Sequence, residues 1–309
     1  MKLVELHHTR PAAMATLLDT EKKEWENRLQ WDISRPIERL RRLIAGGYLQ
    51  GFAVVDGSEV LGYLYYVTGN DWAAIGNLFV LEKARDLQIE DTLLEAGLSR
   101  IRKRPQLRKI ESHFISLAGP GIAQVFTRRG FISHTRYYMV REFGADDLER
   151  FRNPEPAAKS FEPARMGDIA NVLYLSHRGG IDARLSRCYA SEESCRSFLE
   201  TILRYSSIGK IEPDASFVVY DPGNRPVGFA LGSTIGYRHG HVVQISVCPE
   251  DQGSGLGRIL MHSLLRSFSA RKYESVSLSV TDGNQKALSW YTRLGFRSSW
   301  EYPVFVWSR

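Results

Sequence analysis

Val242-Val-Gln-Ile-Ser-Val-Cys-Pro-Glu-Asp-Gln-Gly-Ser-Gly-Leu-Gly-Arg-Ile-Leu-Met-His-Ser-Leu-Leu-Arg-Ser-Phe268 is the stretch on which the reading of the chain turns. Its β-branched start predicts a strand, Pro249 a turn, and the apolar spacing after Gly257 an amphipathic helix. Between turn and helix lies Gln252-Gly-Ser-Gly-Leu-Gly257. Glycines at 253, 255 and 257 let the backbone approach a ligand and aim successive N–H groups outward. The helix start adds about half a unit of positive charge. Together these make a cradle for a pyrophosphate-like anion. A dinucleotide fingerprint would instead show G-x-G-x-x-G after the first strand of its domain, with an acidic residue about 20 positions on. Here the run is late and reads Q-x-x-G-x-G.

A second segment follows: Val276-Ser-Leu-Ser-Val-Thr-Asp-Gly-Asn284, then Gln-Lys-Ala-Leu-Ser-Trp-Tyr291-Thr-Arg-Leu-Gly295-Phe. It predicts a strand leading into a helix that Gly295 terminates. Asn284 and Tyr291, seven apart, share one helix face. Taken alone they read as a capping Asn and a core Tyr.

Working back toward the N-terminus, the pattern repeats. Thr127-Arg-Arg-Gly-Phe-Ile-Ser133 matches Thr292-Arg-Leu-Gly-Phe-Arg-Ser298 at an offset of 165, and Arg85–Glu90 falls opposite Gln252–Gly257 at an offset of 167. Each half starts with a short strand (Lys2–Leu6; Ser160–Pro163). Helical segments follow (Ala12–Leu29 and Ile37–Ala45; Gly167–Ser176 and Ser191–Tyr205), then a hairpin around Asp56-Gly57 or Asp221-Pro-Gly-Asn224. Apolar periodicity lapses around 145–160, where Pro154 and Pro156 stand among charges. We therefore expect a tandem duplication: residues 1–145, a linker at 146–159, and residues 160–309.

These motifs resemble the GNAT superfamily of acyl-CoA-dependent N-acyltransferases, whose double signature is Q-x-x-G-x-G after a strand ending Val-x-Pro, followed by Asn-x6-Tyr-x3-Gly-Phe. The resemblance covers residues 160–309. It implies an α/β (α+β) fold of two GNAT-like domains, each a mixed, mostly antiparallel sheet flanked by helices. It implies acetyl-CoA as cosubstrate, its pyrophosphate on the amides of Gln252, Gly253, Ser254, Gly255, Leu256 and Gly257. Pantetheine would run along Ile245, Ser246 and Val247, where that strand parts from Val276–Val280, with Asn284 against it. Tyr291 would be the acid that protonates the departing thiolate.

Aminolysis of a thioester needs a deprotonated amine, a polarised carbonyl and a stabilised thiolate, and it requires no metal. An alkyl ammonium has a pKa near ~10.4, so a base is wanted. Bacterial protein N-terminal acetyltransferases of the superfamily place a glutamate five residues before the Asn; that position here is Ser279. Histone acetyltransferases use a glutamate on the strand before the loop, which an ungapped count puts at His241. Arylalkylamine acetyltransferases are similar in carrying histidine on that strand. His239 and His241 should share a face with Val243 and Ile245, so His241 either faces the acceptor or lies in the polar turn Tyr237–His241. Glu250 and Asp251 are rivals placed in a turn. His262 reads as a helix residue and Cys248 as structural. The connection Ser176–Tyr189, with Arg178, Asp182, Arg184 and Tyr189, borders the expected acceptor.

In the first half the cradle reads Arg85-Asp-Leu-Gln-Ile-Glu90. Gln88 would intrude on the diphosphate and Glu90 would add like charge. Phe126 stands opposite Tyr291 and Gly119 opposite Asn284, so this half is expected to be a degenerate domain without a CoA site. Mycothiol synthases share the tandem arrangement, but no thiol-sugar signature is visible.

Composition sets the outer bounds. The 309 residues are 43% hydrophobic and 25% charged, which suits globular domains and excludes a disordered chain. No apolar run approaches a membrane span, and the start MKLVELHHTR lacks the apolar core of a signal peptide. Cys188, Cys195 and Cys248 form neither a disulfide framework nor a zinc site. A cytoplasmic protein is expected. The net charge of +6 is spread over both halves, and its densest cluster is Arg100, Arg102, Lys103, Arg104, Arg108 and Lys109. Without a recognised nucleic-acid motif, that cluster reads as a solvated helix end. The expected partner is a small-molecule or peptide amine, not a membrane or nucleic acid. The chain would be a monomer acting as an internal pseudo-dimer, or a homodimer. The alternatives are a non-catalytic acyl-CoA-binding module and a nucleic-acid-associated protein acetyltransferase.

Overall fold

The computed structural model describes residues 1–85, 87–113, 117, 119, 121–151, 158–206 and 208–309. The chain forms two compact units. One comprises Met1–Leu29, Ile33–Arg136 and Glu301–Arg309, the other Gln30–Asp32 and Tyr137–Trp300.

The first unit contains β1 (Lys2–Glu5), α1 (Pro11–Leu29), α2 (Ser34–Ala45), β2 (Gln50–Asp56), β3 (Glu59–Thr68), β4 (Trp72–Val80), α3 (Leu87–Ile101), β5 (Lys109–Ser112) and α4 (Ile122–Thr127). Strands β1 to β4 are antiparallel neighbours in chain order, and β4 pairs β5 in parallel. The turn between β2 and β3 falls at the expected Asp56-Gly57, where Gly57 takes φ +57°. Beyond it come β6 (Ile132–Glu142), α5 (Asp147–Arg150), β7 (Lys159–Ser160), α6 (Met166–His177), α7 (Ile181–Leu185), α8 (Glu192–Tyr205), β8 (Lys210–Ile211), β9 (Phe217–Tyr220), β10 (Pro226–Gly236), β11 (His239–Val247), α9 (Leu256–Ala270), β12 (Ser275–Thr281), α10 (Gln285–Arg293) and β13 (Arg297–Ser308).

In the second unit the strand order is β6-β12-β11-β10-β9-β7, mostly antiparallel, with β11 and β12 parallel. One face of this sheet packs Leu260, Leu264 and Phe268 of α9. The other packs Ile169 and Leu173 of α6 against Leu199 and Ile202 of α8. This mixed, mostly antiparallel α/β architecture is the expected one.

The structure carries the duplication beyond the sequence match. In each unit the strand that precedes the loop is bulged, at Gly76 opposite Tyr65/Tyr66 and at Val243 opposite Leu231/Gly232, 167 residues apart. The first side chain of each loop then caps the last carbonyl of that strand: Arg85 Nε donates to Val80 O at 3.0 Å, and Gln252 Nε2 to Val247 O at 3.2 Å. Each half also ends a helix with the same motif. Phe131 N–H reaches Phe126 O across Gly130, and Phe296 N–H reaches Tyr291 O across Gly295; both glycines have positive φ.

The units do not follow the linear halves. The closing strand of the first half, from Tyr137 on, belongs to the second unit, while Glu301–Arg309 belongs to the first, where Phe305–Ser308 of β13 pairs Lys109–Ser112 of β5. The middle of the expected linker, 152–157, lies outside the described residues, as does Asp86 of the first loop.

Candidate active site: an open strand edge and a glycine cradle

The site is built on β11. Cys248 N–H donates to Val227 O at 2.8 Å, which sets the antiparallel alternation with β10. By that alternation Ser246 points its backbone groups at β10, whereas Ile245 and Val247 point theirs away from it. On that other edge β11 pairs with β12 only over His239–His241 and Ser275–Ser277 among the described residues, and the two strands then part. The N–H groups of Ile245 and Val247 therefore face an opening. This separates the three expected pantetheine-binding positions: Ile245 and Val247 turn their N–H groups to the opening, while Ser246 turns its own toward β10.

The loop beyond is shaped by two left-handed glycines, Gly253 at φ +86° and Gly255 at φ +93°, and a Cβ on either would meet nothing within 4 Å. The first helical bond of α9 runs from Ile259 N–H to Gly255 O. The N–H groups of Leu256, Gly257 and Arg258 thus have no acceptor within the helix. Gly255 itself caps α9 without a side chain to occupy them. Gln252 departs from expectation, because its N–H is spent on Pro249 O at 3.3 Å and its side chain on Val247 O. An open cradle of backbone donors joined to an open strand edge fits the diphosphate and amide arm of an acyl-CoA.

Asn284 caps α10, its Oδ1 accepting Ala287 N–H at 3.2 Å. Tyr291, two turns on, packs against the core of α9 and β12. Burial, reinforced by the Asp182 carboxylate, raises its hydroxyl well above the usual phenol range. Tyr291 is therefore protonated near neutral pH.

His241 is not placed as a base. Its ring is 4% exposed, lies 4.9 Å from Trp31 and 6.3 Å from Tyr138, and hydrogen-bonds Ser277 Oγ at 2.9 Å through Nδ1. Burial drops its pKa to about 3. A sealed, neutral imidazole of that basicity takes no proton from an acceptor near neutral pH. The bulge at Val243 also breaks the expected shared face. Val243 lies on the α6/α8 side of the sheet with Gln244, which contacts His177 and Tyr189, while Ile245 packs on the α9 side.

The α6/α8 side carries a polar cluster. Gln244 Nε2 lies 3.1 Å from Ser246 Oγ and 3.4 Å from His177 Nε2, and Gln244 Oε1 accepts Tyr189 OH at 3.4 Å. Thr281 Oγ1 donates to Asp182 at 2.7 Å. The Ser176–Tyr189 connection, expected beside the acceptor, thus supplies His177, Asp182 and Tyr189, and part of it is the short helix α7. His177 and Gln244 went unremarked in the sequence. The available signal was one amide side chain in the apolar run VVQISV.

In the first unit Glu90 is turned inward, 2% exposed, with its carboxylate accepting Gly119 N–H at 2.9 Å. It secures that segment rather than adding charge to a cradle; Gln88 is exposed at the start of α3. The cationic cluster is engaged locally. Arg100 pairs Glu5, Arg102 donates to Arg129 O over the Trp307 ring, and Arg104 donates to Gly69 O. A cavity of about 740 Å³ in this unit, lined by Asn70, Asp71, Arg108 and Arg309, contains none of the candidate catalytic or cofactor-binding residues. Among the described residues no helix is long and apolar enough to cross a membrane, and no group of three or more His, Cys, Asp or Glu could hold a metal ion.

Residues 183–296 match the Acetyltransferase (GNAT) family. The match puts a domain of this family in the second half of the chain. Mycothiol acetyltransferase of Thermobifida fusca is 32% identical over 165 residues, 48% of this chain and 51% of that protein. N-alpha-acetyltransferase 20 of Dictyostelium discoideum is 34% identical over 89 residues, 27% and 51% respectively. The chain thus spans about half the length of these curated relatives. Two solved structures share the fold over its whole length. A GCN5-related N-acetyltransferase from Sphaerobacter thermophilus is 16% identical with a TM-score of 0.65, covering 99% of this chain and 95% of that one. A tandem GNAT protein from the clavulanic acid biosynthesis pathway is 15% identical with a TM-score of 0.63, covering 99% and 98%.

Proposed function

We propose that the second unit transfers an acetyl group from acetyl-CoA to a primary amine by direct attack, and that the first unit, a degenerate relative, carries no CoA site. The observation behind this reading is the continuity of the open β11 edge at Ile245 and Val247 with the cradle of Gly253 to Arg258. Bound there, acetyl-CoA supplies an activated acyl carbon and a thiolate leaving group. The cradle amides neutralise the diphosphate, and the α9 dipole favours it. Val247 N–H polarises the thioester carbonyl. Asn284, its Oδ1 committed to the helix cap, keeps its amide N–H groups for the pantetheine arm. Tyr291, held protonated, delivers its proton to sulfur as the thiolate departs. The acceptor is a small-molecule or peptide amine; the curated relatives are a mycothiol acetyltransferase and an N-alpha-acetyltransferase.

Calorimetry with acetyl-CoA, followed by thiol release against a panel of amines, tests the reading. One acetyl-CoA per chain and amine-dependent release of CoA are expected. Binding without release from any amine would favour a non-catalytic acyl-CoA module, and two equivalent sites would remove the assignment of the first unit.

A further inference from the structure

We infer that His177, at the C-terminal end of α6, takes the proton from the acceptor nitrogen; the inference rests on the acetyltransferase reading. His177 Nδ1 lies 3.0 Å from Ser176 Oγ and 3.1 Å from Leu173 O; the Ser176 hydroxyl gives its hydrogen to Leu173 O at 2.9 Å and that carbonyl only accepts, so Nδ1 carries the hydrogen and Nε2 presents a lone pair. That lone pair faces Gln244 Nε2 at a long 3.4 Å, and the same amide is only 3.1 Å from Ser246 Oγ. An acceptor N–H can replace this weak contact while Gln244 keeps Ser246 as a partner. The imidazole is one side chain from the β11 segment whose next N–H, Val247, faces the opening. Its ring is stacked on Tyr189 at 4.1 Å and 9°, which fixes its plane.

The groups facing His177 agree with this role. Tyr189, Gln244 and Ser176 are uncharged groups against the ring, and Asp182 of α7 supplies a negative charge that acts on it. Burial lowers the His177 pKa below 6.5, and the Asp182 carboxylate partly opposes this. The imidazole is therefore neutral and able to accept a proton at pH 7, and Asp182 stabilises the imidazolium once formed. Asp182 also acts on Tyr291, so both proton-transfer groups lie in the field of one carboxylate. In the step, the neutral amine, its ammonium proton already lost to solvent, bonds the acyl carbon as the carbon–sulfur bond breaks. Its proton passes to Nε2, Tyr291 protonates the sulfur, and the imidazolium proton returns through solvent to the phenolate.

The test compares wild type, H177Q, H177A and D182N. We expect H177Q to lower kcat/KM by about 10²–10⁴-fold, to abolish the acid limb of its pH profile, and to leave acetyl-CoA affinity by calorimetry within about twofold. Added imidazole should restore part of the H177A rate, which a purely structural role would not allow. D182N should move the acid limb to lower pH. Imidazole ¹⁵N NMR of the wild type is independent of turnover, and should show the Nδ1–H tautomer titrating below 6.5, lower still in D182N. An Nε2–H tautomer, titration above pH 7, or an unchanged limb in H177Q would each overturn the inference. Absence of amine-dependent CoA release by the wild type would fail the acetyltransferase reading and the inference with it, whereas normal release with an unmoved limb in H177Q fails the inference alone.

Discussion

Single residues in this chain act through the few groups that surround them. Tyr291 has one task in the proposed reaction, to hold a proton until sulfur needs it. Tyr291→Phe should cost about 10²–10⁴-fold in turnover while acetyl-CoA affinity, measured calorimetrically, stays nearly constant; full activity in the variant would remove the residue from the mechanism. Gly255 has a different burden. At φ +93° with open space around it, a side chain would be strained by roughly 1–2 kcal/mol and would project freely. Gly255→Glu should abolish acetyl-CoA binding because it sets a carboxylate at the cradle, whereas Gln88→Gly should leave binding unchanged. Glu21 is a residue the sequence reading passed over. It is 2% exposed and accepts hydrogen bonds from Tyr63 OH at 2.7 Å and Asn77 Nδ2 at 2.6 Å, and burial, outweighing those bonds, raises its pKa to about 7. The folded carboxyl binds its proton more tightly than the unfolded one. Its contribution is therefore complete below about 4.5 and lost as pH rises through about 7, on the order of 3 kcal/mol. Thermal melts between pH 5 and 8 should show this loss in the wild type and not in Glu21→Gln.

At the scale of elements, a buried ion pair ties β6 to α5 in the second unit. Arg141 of β6 forms a two-pronged bond with Asp147, at 2.9 and 2.5 Å, while its Nε donates to Leu294 O and its guanidinium lies 4.6 Å from the Phe151 ring. Burial would raise the Asp147 pKa, but Arg141 and the Gly144 N–H outweigh it and hold the carboxyl below its usual value. The sign is opposite to that of Glu21. The stabilisation is present above the unfolded carboxylate pKa and disappears as pH falls through the lower folded one. Asp147→Ala strands a buried guanidinium and should destabilise by about 3–5 kcal/mol, read as a lower denaturant midpoint at pH 7. The difference from wild type should shrink toward pH 3, and a constant difference would argue against the pairing as its source.

For the whole molecule, the consequence of exchanged closing strands is that neither linear half is a complete folding unit. A fragment of residues 160–309 lacks Tyr137–Glu142, and with it Arg141, Tyr138 and the strand beside β12. A fragment of residues 1–145 lacks Phe305, which is 1% exposed and stacked on Phe126 at 3.9 Å. Each fragment expressed alone should fail to give a cooperative melt, and the two expressed together should copurify in equal amounts. A cooperative transition from 160–309 by itself would show that the strand exchange is dispensable.

Local patterns were sufficient for much of this. Helix and hairpin positions, the glycine run and the Gly295 termination are written in short-range spacing, because capping, turn chemistry and apolar periodicity involve residues a few positions apart. The helix expected at Gly167–Ser176 is found at Met166–His177, and Ser191, expected within a helix, caps α8. Three features required the folded chain. The bulge at Val243 rotates one strand face by a residue, and alternation read along a sequence has no means to register an inserted position. The depth at which His241 is sealed depends on Trp31, 210 positions away in the chain, and Tyr138. The exchange of β6 and β13 between units is a choice among strand partners of similar character. Such non-local pairings, unlike caps and turns, are decided by what the assembled sheets bury.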